Sequence, residues 1–103
     1  MQFLVTGRDG ADEGALDRRM ASRSAHINVC DALFKDGRLL FGVALTNDDG
    51  TMVGSSMVFD VDSREELDAI LEVEPYVVNN VWETFSVQPC KLGPTFLSLY
   101  EDK

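Results

Sequence analysis

A turn signal near the middle of the chain constrains the fold more than any other feature of the sequence. Residues 47–50, Asn-Asp-Asp-Gly, separate two strand-like segments at residues 38–45 and 52–61. A short turn of this composition between apolar segments is typical of a β-hairpin. Apolar residues at helical spacing precede the hairpin, from about residue 14 to 36, and a second helical segment follows it. The sequence therefore predicts a hairpin with one helix before it and one after it.

The remaining segments complete the order of elements. Residues 3–5 form a short apolar run that suits a buried first strand, and residues 82–89 alternate well enough to form a last strand. Ser63 and Glu66 have the spacing of a capping box at the start of the second helix, and Pro75 ends that helix. The order β-α-β-β-α-β predicts an α+β domain with the ferredoxin-like split βαβ fold. We expect a single domain over residues 1–103, because so short a chain holds one core.

Apolar side chains of the first predicted helix fall on one stripe. We expect this stripe to be buried, and its members are Leu16, Met20, Ile27, Cys30, Leu33 and Phe34. Asp12, just before the helix, is a candidate N-cap residue. In the hairpin that follows, the nearly continuous apolar run at residues 39–45 predicts a strand covered on both faces.

The C-terminal part of the chain carries another apolar segment. Residues 95–100 follow Gly93 and Pro94, which break the preceding strand. Left in solvent, such a segment favours aggregation, so we expect a surface to cover it. The sequence predicts a short strand or arm at a subunit interface.

Net charge and composition exclude several classes of function. The net charge is −9 and the sequence pI is about 4.3, which disfavours binding to a nucleic-acid backbone. No apolar run approaches the roughly 20 residues that a membrane span needs, and the N-terminus lacks the basic region of a signal peptide. We expect a cytoplasmic protein that binds neither nucleic acid nor membrane, in which Cys30 and Cys90 are reduced thiols.

The single histidine is the residue that most suggests chemistry. His26 lies at the margin of the apolar stripe, where a lone imidazole is either a satisfied structural residue or a proton carrier. Glu74 directly precedes Pro75, which favours extended backbone at Glu74. Its carboxylate either orients the imidazole, as in catalytic triads, or is a solvated acid at a helix end.

Three further residues are candidate substrate contacts, each with a simpler alternative. Arg23, one turn before His26, either binds an anionic group or forms a surface ion pair. Ser55, next to Gly54, either contacts substrate or meets a need for small residues where strands approach closely. Tyr76 is either a further contact or a packing aromatic. The sequence has no metal-ligand spacing, phosphate loop or serine-nucleophile elbow, so we expect no metal and no cofactor.

Several short motifs in a fixed order resemble the YciI-like family, also described as the YCII-related domain. The motifs are Arg23-x-x-His26, Gly37-x-Leu39-Leu40-x-Gly42, Gly54-Ser55, Ser63 with Glu65-Glu66, and Glu74-Pro75-Tyr76-Val77 followed by Val87-Gln88-Pro89. The resemblance covers nearly the whole chain. It implies a ferredoxin-like domain that forms a homodimer of the α/β-barrel type, and it implies an enzymatic role for a His and an acidic residue. The family more usually has Asp before Pro-Tyr, whereas this chain has Glu74.

Two main hypotheses for function follow. The first is a small cofactor-independent enzyme in which His26 and Glu74 carry out general acid–base chemistry on a small organic substrate, as an isomerase, lyase or hydrolase. The second is a non-catalytic dimeric module that binds a small ligand in a cavity or acts as an accessory protein. The resemblance suggests that this cavity lies between the uncovered sheet faces of two subunits, within reach of His26. A structural subunit of a larger complex is a third hypothesis.

Overall fold

The computed structural model describes residues 1–101 and contains a four-stranded antiparallel sheet with helices on one face. Its strands are β1 (Gln2–Asp9), β2 (Leu39–Thr46), β3 (Met52–Asp60) and β4 (Trp82–Cys90), and its helices are α1 (Ala15–Lys35), α2 (Arg64–Val73) and the single turn α3 (Pro75–Val78). The strand order is β2-β3-β1-β4. This arrangement is the ferredoxin-like α+β fold, which confirms that part of the prediction; the dimeric α/β-barrel form stays a prediction.

The central hairpin forms as predicted. The Asn47 carbonyl accepts the Gly50 N–H at 3.0 Å, and the Asn47 side chain accepts the N–H of Thr51 at 3.2 Å. Gly50 has φ +88°, a left-handed conformation that glycine adopts without a steric cost. These local bonds fix the point at which β2 turns into β3.

Packing between the helices and the sheet forms the core. Strand register places Phe3 opposite Phe59 and Val5 opposite Met57, with all four side chains on the helix-covered face. Leu67 of α2 is fully buried against this layer. Burying each large apolar side chain stabilises the fold by about 1.5–3 kcal/mol, so this layer fixes where the helices lie.

Within residues 1–101, none of the three α-helices covers the other face of the sheet. We predicted that β2 is covered on both faces, and this is wrong. Phe41 and Val43 are 48% and 53% exposed. Because β2 is an edge strand and the three α-helices lie on the opposite side, Phe41 and Val43 point into the open face. Leu39, before the register shift at Phe41, packs in the core.

The buried side of α1 differs from the predicted one. Leu16, Met20, Ile27 and Phe34 are 39% to 51% exposed, whereas the buried residues of α1 are Ala15, Arg19, Ser22, His26 and Leu33. Each of these four exposed residues directly follows a buried residue in the chain. Successive residues of an α-helix lie about 100° apart around its axis, so the apolar stripe is turned by that angle away from the core. The predicted buried stripe is therefore wrong for these four residues. Three polar side chains instead face the domain interior.

The start of α1 also departs from the prediction. The N-cap residue is Gly14, with no side-chain cap. Asp12 instead accepts two hydrogen bonds from the Arg18 guanidinium, at 2.8 and 2.7 Å. These bonds lower the pKa of Asp12 to about 2. Asp12 therefore pairs with a side chain one turn into the helix and does not cap it.

The C-terminal segment is a 3-10 helix, Pro94–Leu99, and not the predicted strand. Phe96 lines an apolar pocket on the open face of the sheet together with Leu4, Phe41 and Val58. The Tyr100 hydroxyl donates to the Leu40 carbonyl at 2.9 Å. The segment therefore contacts its own domain as an arm but leaves Phe96, Leu97 and Leu99 48% to 66% exposed, and its role at a subunit interface stays a prediction.

Candidate functional site

His26 and Glu74 are hydrogen-bonded to each other inside the domain. His26 Nδ1 is bonded to Glu74 Oε1, and the two residues are 8% and 1% exposed. The predicted contact is therefore present, and the alternative of a solvated acid at position 74 is wrong. A catalytic role for the pair stays a prediction.

The junction of two helices holds the Glu74 carboxylate in place. Glu74 ends α2 and caps α3, with an extended backbone (φ −67°, ψ 123°) as expected before Pro75. Its Oε2 accepts the backbone N–H of Tyr76 at 2.6 Å. Both carboxylate oxygens are thus engaged, so the side chain cannot rotate without losing a buried hydrogen bond.

The contact with Glu74 determines the tautomer of His26. A carboxylate accepts hydrogen bonds, so Nδ1 carries the proton and donates it to Oε1. In the neutral ring, Nε2 then has the free lone pair. The Cys30 Sγ lies 3.5 Å from this nitrogen. Cys30 lies partly packed against the core, and its position four residues after His26 makes the two side chains neighbours on α1.

Tyr76 is the packing centre of the site. Its ring stacks on the His26 ring at a centroid distance of 3.8 Å and an interplanar angle of 9°. Trp82 meets it edge-on at 5.9 Å, and the Arg19 Cζ lies 4.7 Å from its centroid. Burial raises the pKa of Tyr76, so the phenol keeps its proton at neutral pH.

Arg19 is the site residue that sequence reasoning missed. It is 2% exposed, and its Nη1 donates to both Asp9 carboxylate oxygens at 3.0 and 3.1 Å. Its Nη2 donates to Ser55 Oγ at 2.9 Å. Arg19 is seven residues before His26, hence on the same helix face, and this spacing is the signal that could have found it.

Ser55 lies in the site but is already engaged. Its Oγ accepts from Arg19 Nη2 and from Trp82 Nε1, the latter at 3.3 Å. The hydroxyl keeps one proton to donate. The strands also approach each other closely here, as the alternative explanation for Ser55 required. A Cβ added to the neighbouring Gly54 would lie 2.5 Å from the Gly7 carbonyl oxygen.

A cavity of about 280 Å³ joins the predicted site residues. It lies between α1 and the helix-covered side of β2 and β3, and its lining includes Arg19, Arg23, His26, Cys30, Ser55 and Tyr76. We expected a cavity on the uncovered sheet face, and this location is wrong for the cavity beside His26. The imidazole belongs to the inward side of α1 and so faces the helix-covered side of the sheet.

Arg23 is the cationic group of the cavity that has no partner. It is exposed and makes no salt bridge or side-chain hydrogen bond within residues 1–101, so the alternative of a surface ion pair is not realised there. Arg19, by contrast, is neutralised by Asp9. In a chain with net charge −9, an unpaired guanidinium at a cavity can attract an anion.

The described part of the chain shows neither a metal-binding cluster nor a membrane-spanning helix. Residues 1–101 contain no group of three or more His, Cys, Asp or Glu side chains arranged to hold a metal ion. None of the helices in that part is both long and apolar enough to span a membrane.

Comparisons with known proteins agree with the fold. A family model for the YCII-related domain matches residues 1–91. Protein YciI from Escherichia coli O6:H1 and Protein YciI from Shigella flexneri are each 32% identical over 97 residues, which is 88% of this chain and 97% of the relative. A solved structure, 5-chloro-2-hydroxyhydroquinone dehydrochlorinase from Burkholderia phenoliruptrix in complex with 2,5-dihydroxybenzoquinone, has a TM-score of 0.75 and 23% identity, covering 92% of this chain and 98% of that chain. At 23% identity this last likeness shows the fold alone.

Proposed function

The chain belongs to the family of YCII-related domains, and from this premise we propose that it is a small cofactor-independent enzyme that performs general acid–base chemistry. His26 is the proton carrier and Glu74 the orienting carboxylate, acting on a small organic substrate. The observation that carries the proposal is the buried hydrogen bond between His26 Nδ1 and Glu74 at the wall of a cavity.

In this proposal, Nε2 of His26 exchanges the proton. Glu74 keeps the other ring nitrogen protonated, so Nε2, which faces the Cys30 thiol in the resting protein, is the nitrogen that accepts a proton from the substrate. The carboxylate then stabilises the imidazolium until the proton returns. Because the Tyr76 N–H holds the second oxygen of Glu74, the pair is already oriented before substrate binds. A positioned group of this kind contributes about 10²- to 10⁴-fold in rate.

Two cavity residues suit an anionic substrate. Arg23 provides the unpaired charge, and its guanidinium can bind a carboxylate or a similar oxygen pair through two parallel hydrogen bonds. Tyr76 forms part of the wall. The proposed contribution of Ser55 is a single hydroxyl proton, because Arg19 and Trp82 already donate to its oxygen.

Elimination is the reaction class to test first. Isomerisation, elimination of a leaving group such as halide, and hydrolysis each need one proton shuttle, which His26 can provide. The structurally similar dehydrochlorinase takes its name from an elimination. That protein shares the fold with this chain, although at low sequence identity. We therefore include its substrate as the first compound in a screen of small anionic molecules.

We further propose that the chain acts as a homodimer. The open face of the sheet carries exposed apolar side chains, including Phe41 and Val43, next to the C-terminal arm. A second copy would remove this apolar surface from water, which favours association. The cavity beside His26 lies on the other side of the sheet, so each subunit would keep its own site.

The test is a substrate screen with a matched pair of variants. Small organic acids and halogenated phenols are incubated with the unmodified protein, and consumption is followed by NMR. We expect His26→Gln to lower the rate by at least about 10²-fold, while Asn28→Ala, an exposed change on the same helix, leaves it unchanged. A rate that survives His26→Gln would refute the proposal.

The same variants separate the enzyme from the alternative, a dimeric binding module. A binding module shifts the melting temperature with a ligand that it does not consume, and its His26→Gln variant retains that shift. An enzyme of the proposed type binds the ligand in both forms and converts it only with His26 present.

A further inference from the structure

Cys30 lies at the free nitrogen of the His26 ring. Its Sγ is 3.5 Å from Nε2, one helical turn further along α1. Because His26 donates its Nδ1 proton to Glu74, the Nε2 lone pair is the acceptor and the thiol S–H is the donor. Thiol, imidazole and carboxylate therefore form one continuous chain of hydrogen bonds.

We propose that Cys30 is a nucleophile, activated by His26 and Glu74, that adds to a small α,β-unsaturated carbonyl compound. A nucleophile within hydrogen-bond reach of a base, with the base oriented by a third group, is the arrangement that covalent catalysis uses. The inference goes beyond the proposed acid–base function. It shares His26 with that function but requires no turnover of the acid–base substrate.

Two cationic groups of the same cavity indicate a ligand that carries oxygen acceptors. Arg19 is almost fully buried, and its Nε–H has no acceptor in residues 1–101. Arg23 is exposed without a partner, and both side chains line the cavity with Cys30. The Arg19 Nε atom is itself closed off from solvent, so the exposed Arg23 guanidinium is the group that would bind a carbonyl or enolate oxygen in this cavity. This observation is independent of the thiol.

The addition balances without an oxidant or reductant. The S–H bond breaks and its proton passes to His26 Nε2, while an S–C bond forms at the β-carbon of the unsaturated carbonyl compound. The electron pair of the C=C bond moves to the carbonyl oxygen, which becomes an enolate near the arginine side chains. The imidazolium then returns the proton to the α-carbon. The product is a thioether, and Glu74 retains its hydrogen bond to Nδ1 throughout.

In the resting protein the Cys30 thiol is protonated, so it needs a base to become a nucleophile. Burial raises the pKa of the Cys30 thiol to about 12, and the negative charges of Glu74 and Asp31 add to this effect. The thiol therefore keeps its proton at neutral pH, where only the thiolate is a good nucleophile. Cys90, whose pKa burial also raises, lies on β4 away from the imidazole. Without help from His26, Cys30 should be no more reactive than Cys90.

The two cysteines of one chain provide the experiment. The folded protein is treated with limiting N-ethylmaleimide, which is itself an α,β-unsaturated carbonyl compound, and labelling at each cysteine is followed by peptide mass spectrometry. We expect Cys30 to react faster than Cys90. In His26→Gln, we expect the Cys30 rate to fall at least about tenfold and the Cys90 rate to stay within about twofold.

A second probe tests the role of the cationic groups. A maleimide that carries a carboxylate should favour Cys30 over Cys90 more strongly than N-ethylmaleimide does, and Arg23→Gln should remove that added preference. The inference is overturned if Cys30 is no faster than Cys90 in the unmodified protein, or if His26→Gln leaves its rate unchanged. If the His26→Gln variant does not fold, the inference is tested only by the labelling rates of Cys30 and Cys90 in the unmodified protein.

Failure of this inference is distinguishable from failure of the acid–base function. Labelling is measured without any substrate, so a chain that converts none of the screened compounds still supports the inference if His26 controls the addition at Cys30. Cys30→Ala supplies the reverse control, because it removes the thiol and leaves the bond between His26 and Glu74 in place.

Discussion

Replacing Glu74 by Gln is expected to move the proton of the neutral His26 ring from Nδ1 to Nε2. Glu74 accepts two hydrogen bonds, from the Tyr76 N–H and from His26 Nδ1. A carboxylate accepts at both oxygens, whereas an amide accepts at one end and donates at the other. Since the backbone N–H of Tyr76 can only donate, the amide oxygen turns towards it. The amide NH₂ then faces Nδ1, which must become an acceptor.

The size of the tautomer change follows from the burial of this site. The opposite amide orientation would place the NH₂ against the Tyr76 N–H, and position 74 is only 1% exposed. An unsatisfied buried donor costs about 1–3 kcal/mol, which corresponds to about a 5- to 150-fold change in a population ratio. A ring protonated at Nε2 cannot accept a proton there. We therefore expect activity, and Cys30 labelling by maleimide, to fall by about the same 5- to 150-fold.

Long-range nitrogen–proton correlation NMR measures the tautomer directly. The chain has one histidine, so the two ring nitrogens need no assignment against other residues. Spectra are compared at a pH where titration of the same resonances shows a neutral ring. Glu72→Gln, an exposed acid-to-amide change in α2, is the matched control and should leave the Nδ1–H form unchanged. If folded Glu74→Gln protein also keeps the Nδ1–H form, the two bonds of Glu74 do not determine the tautomer and the reasoning is refuted.

Three further predictions concern stability and assembly. Arg19→Ala leaves the buried Asp9 carboxylate without its cation and should lower the free energy of unfolding by about 3–5 kcal/mol in urea titration; a loss below about 1 kcal/mol would contradict a buried pair. Tyr100→Phe removes the hydroxyl that donates to the Leu40 carbonyl and should cost about 0.5–1.5 kcal/mol by the same measurement, with an unchanged midpoint counting against a docked arm. Phe41→Glu places a charge on the open sheet face and should convert a homodimer into monomers in light scattering, whereas a dimer that persists would place the interface elsewhere.

Local signals explain why the fold could be predicted from the sequence. The turn at Asn47 is fixed by its own side chain. At the start of α2, Ser63 Oγ accepts the Glu66 N–H at 3.1 Å, while the Glu66 carboxylate accepts the Asp62 N–H at 3.0 Å. Each of these bonds spans four residues or fewer. The boundaries of the hairpin and of the second helix are therefore determined by short segments, and the order of elements follows from them.

The orientation of α1 could not be predicted in the same way. Periodicity shows which side chains share a face, but it does not show which face meets the sheet. Arg19 is buried because Asp9 on β1 neutralises it and Ser55 on β3 accepts a further hydrogen bond. The second of these partners is 36 residues away in the chain. Apolar residues such as Met20 are left outside because charged and polar groups already occupy the contact with the sheet.

The site depends on Tyr76, which contacts both buried pairs of charged or titratable residues, His26 with Glu74 and Arg19 with Asp9. Its N–H holds the Glu74 carboxylate, one face of its ring stacks on His26, and the Arg19 guanidinium lies over the ring as well. The family resemblance led us to expect the shorter Asp at this position. Glu74 nevertheless meets Nδ1, because the bond to the Tyr76 backbone fixes where the longer side chain ends. A sequence shows the change in side-chain length but not this anchoring bond. The geometry of the pair consequently follows from the α2–α3 junction as a whole, and not from the identity of the acid alone.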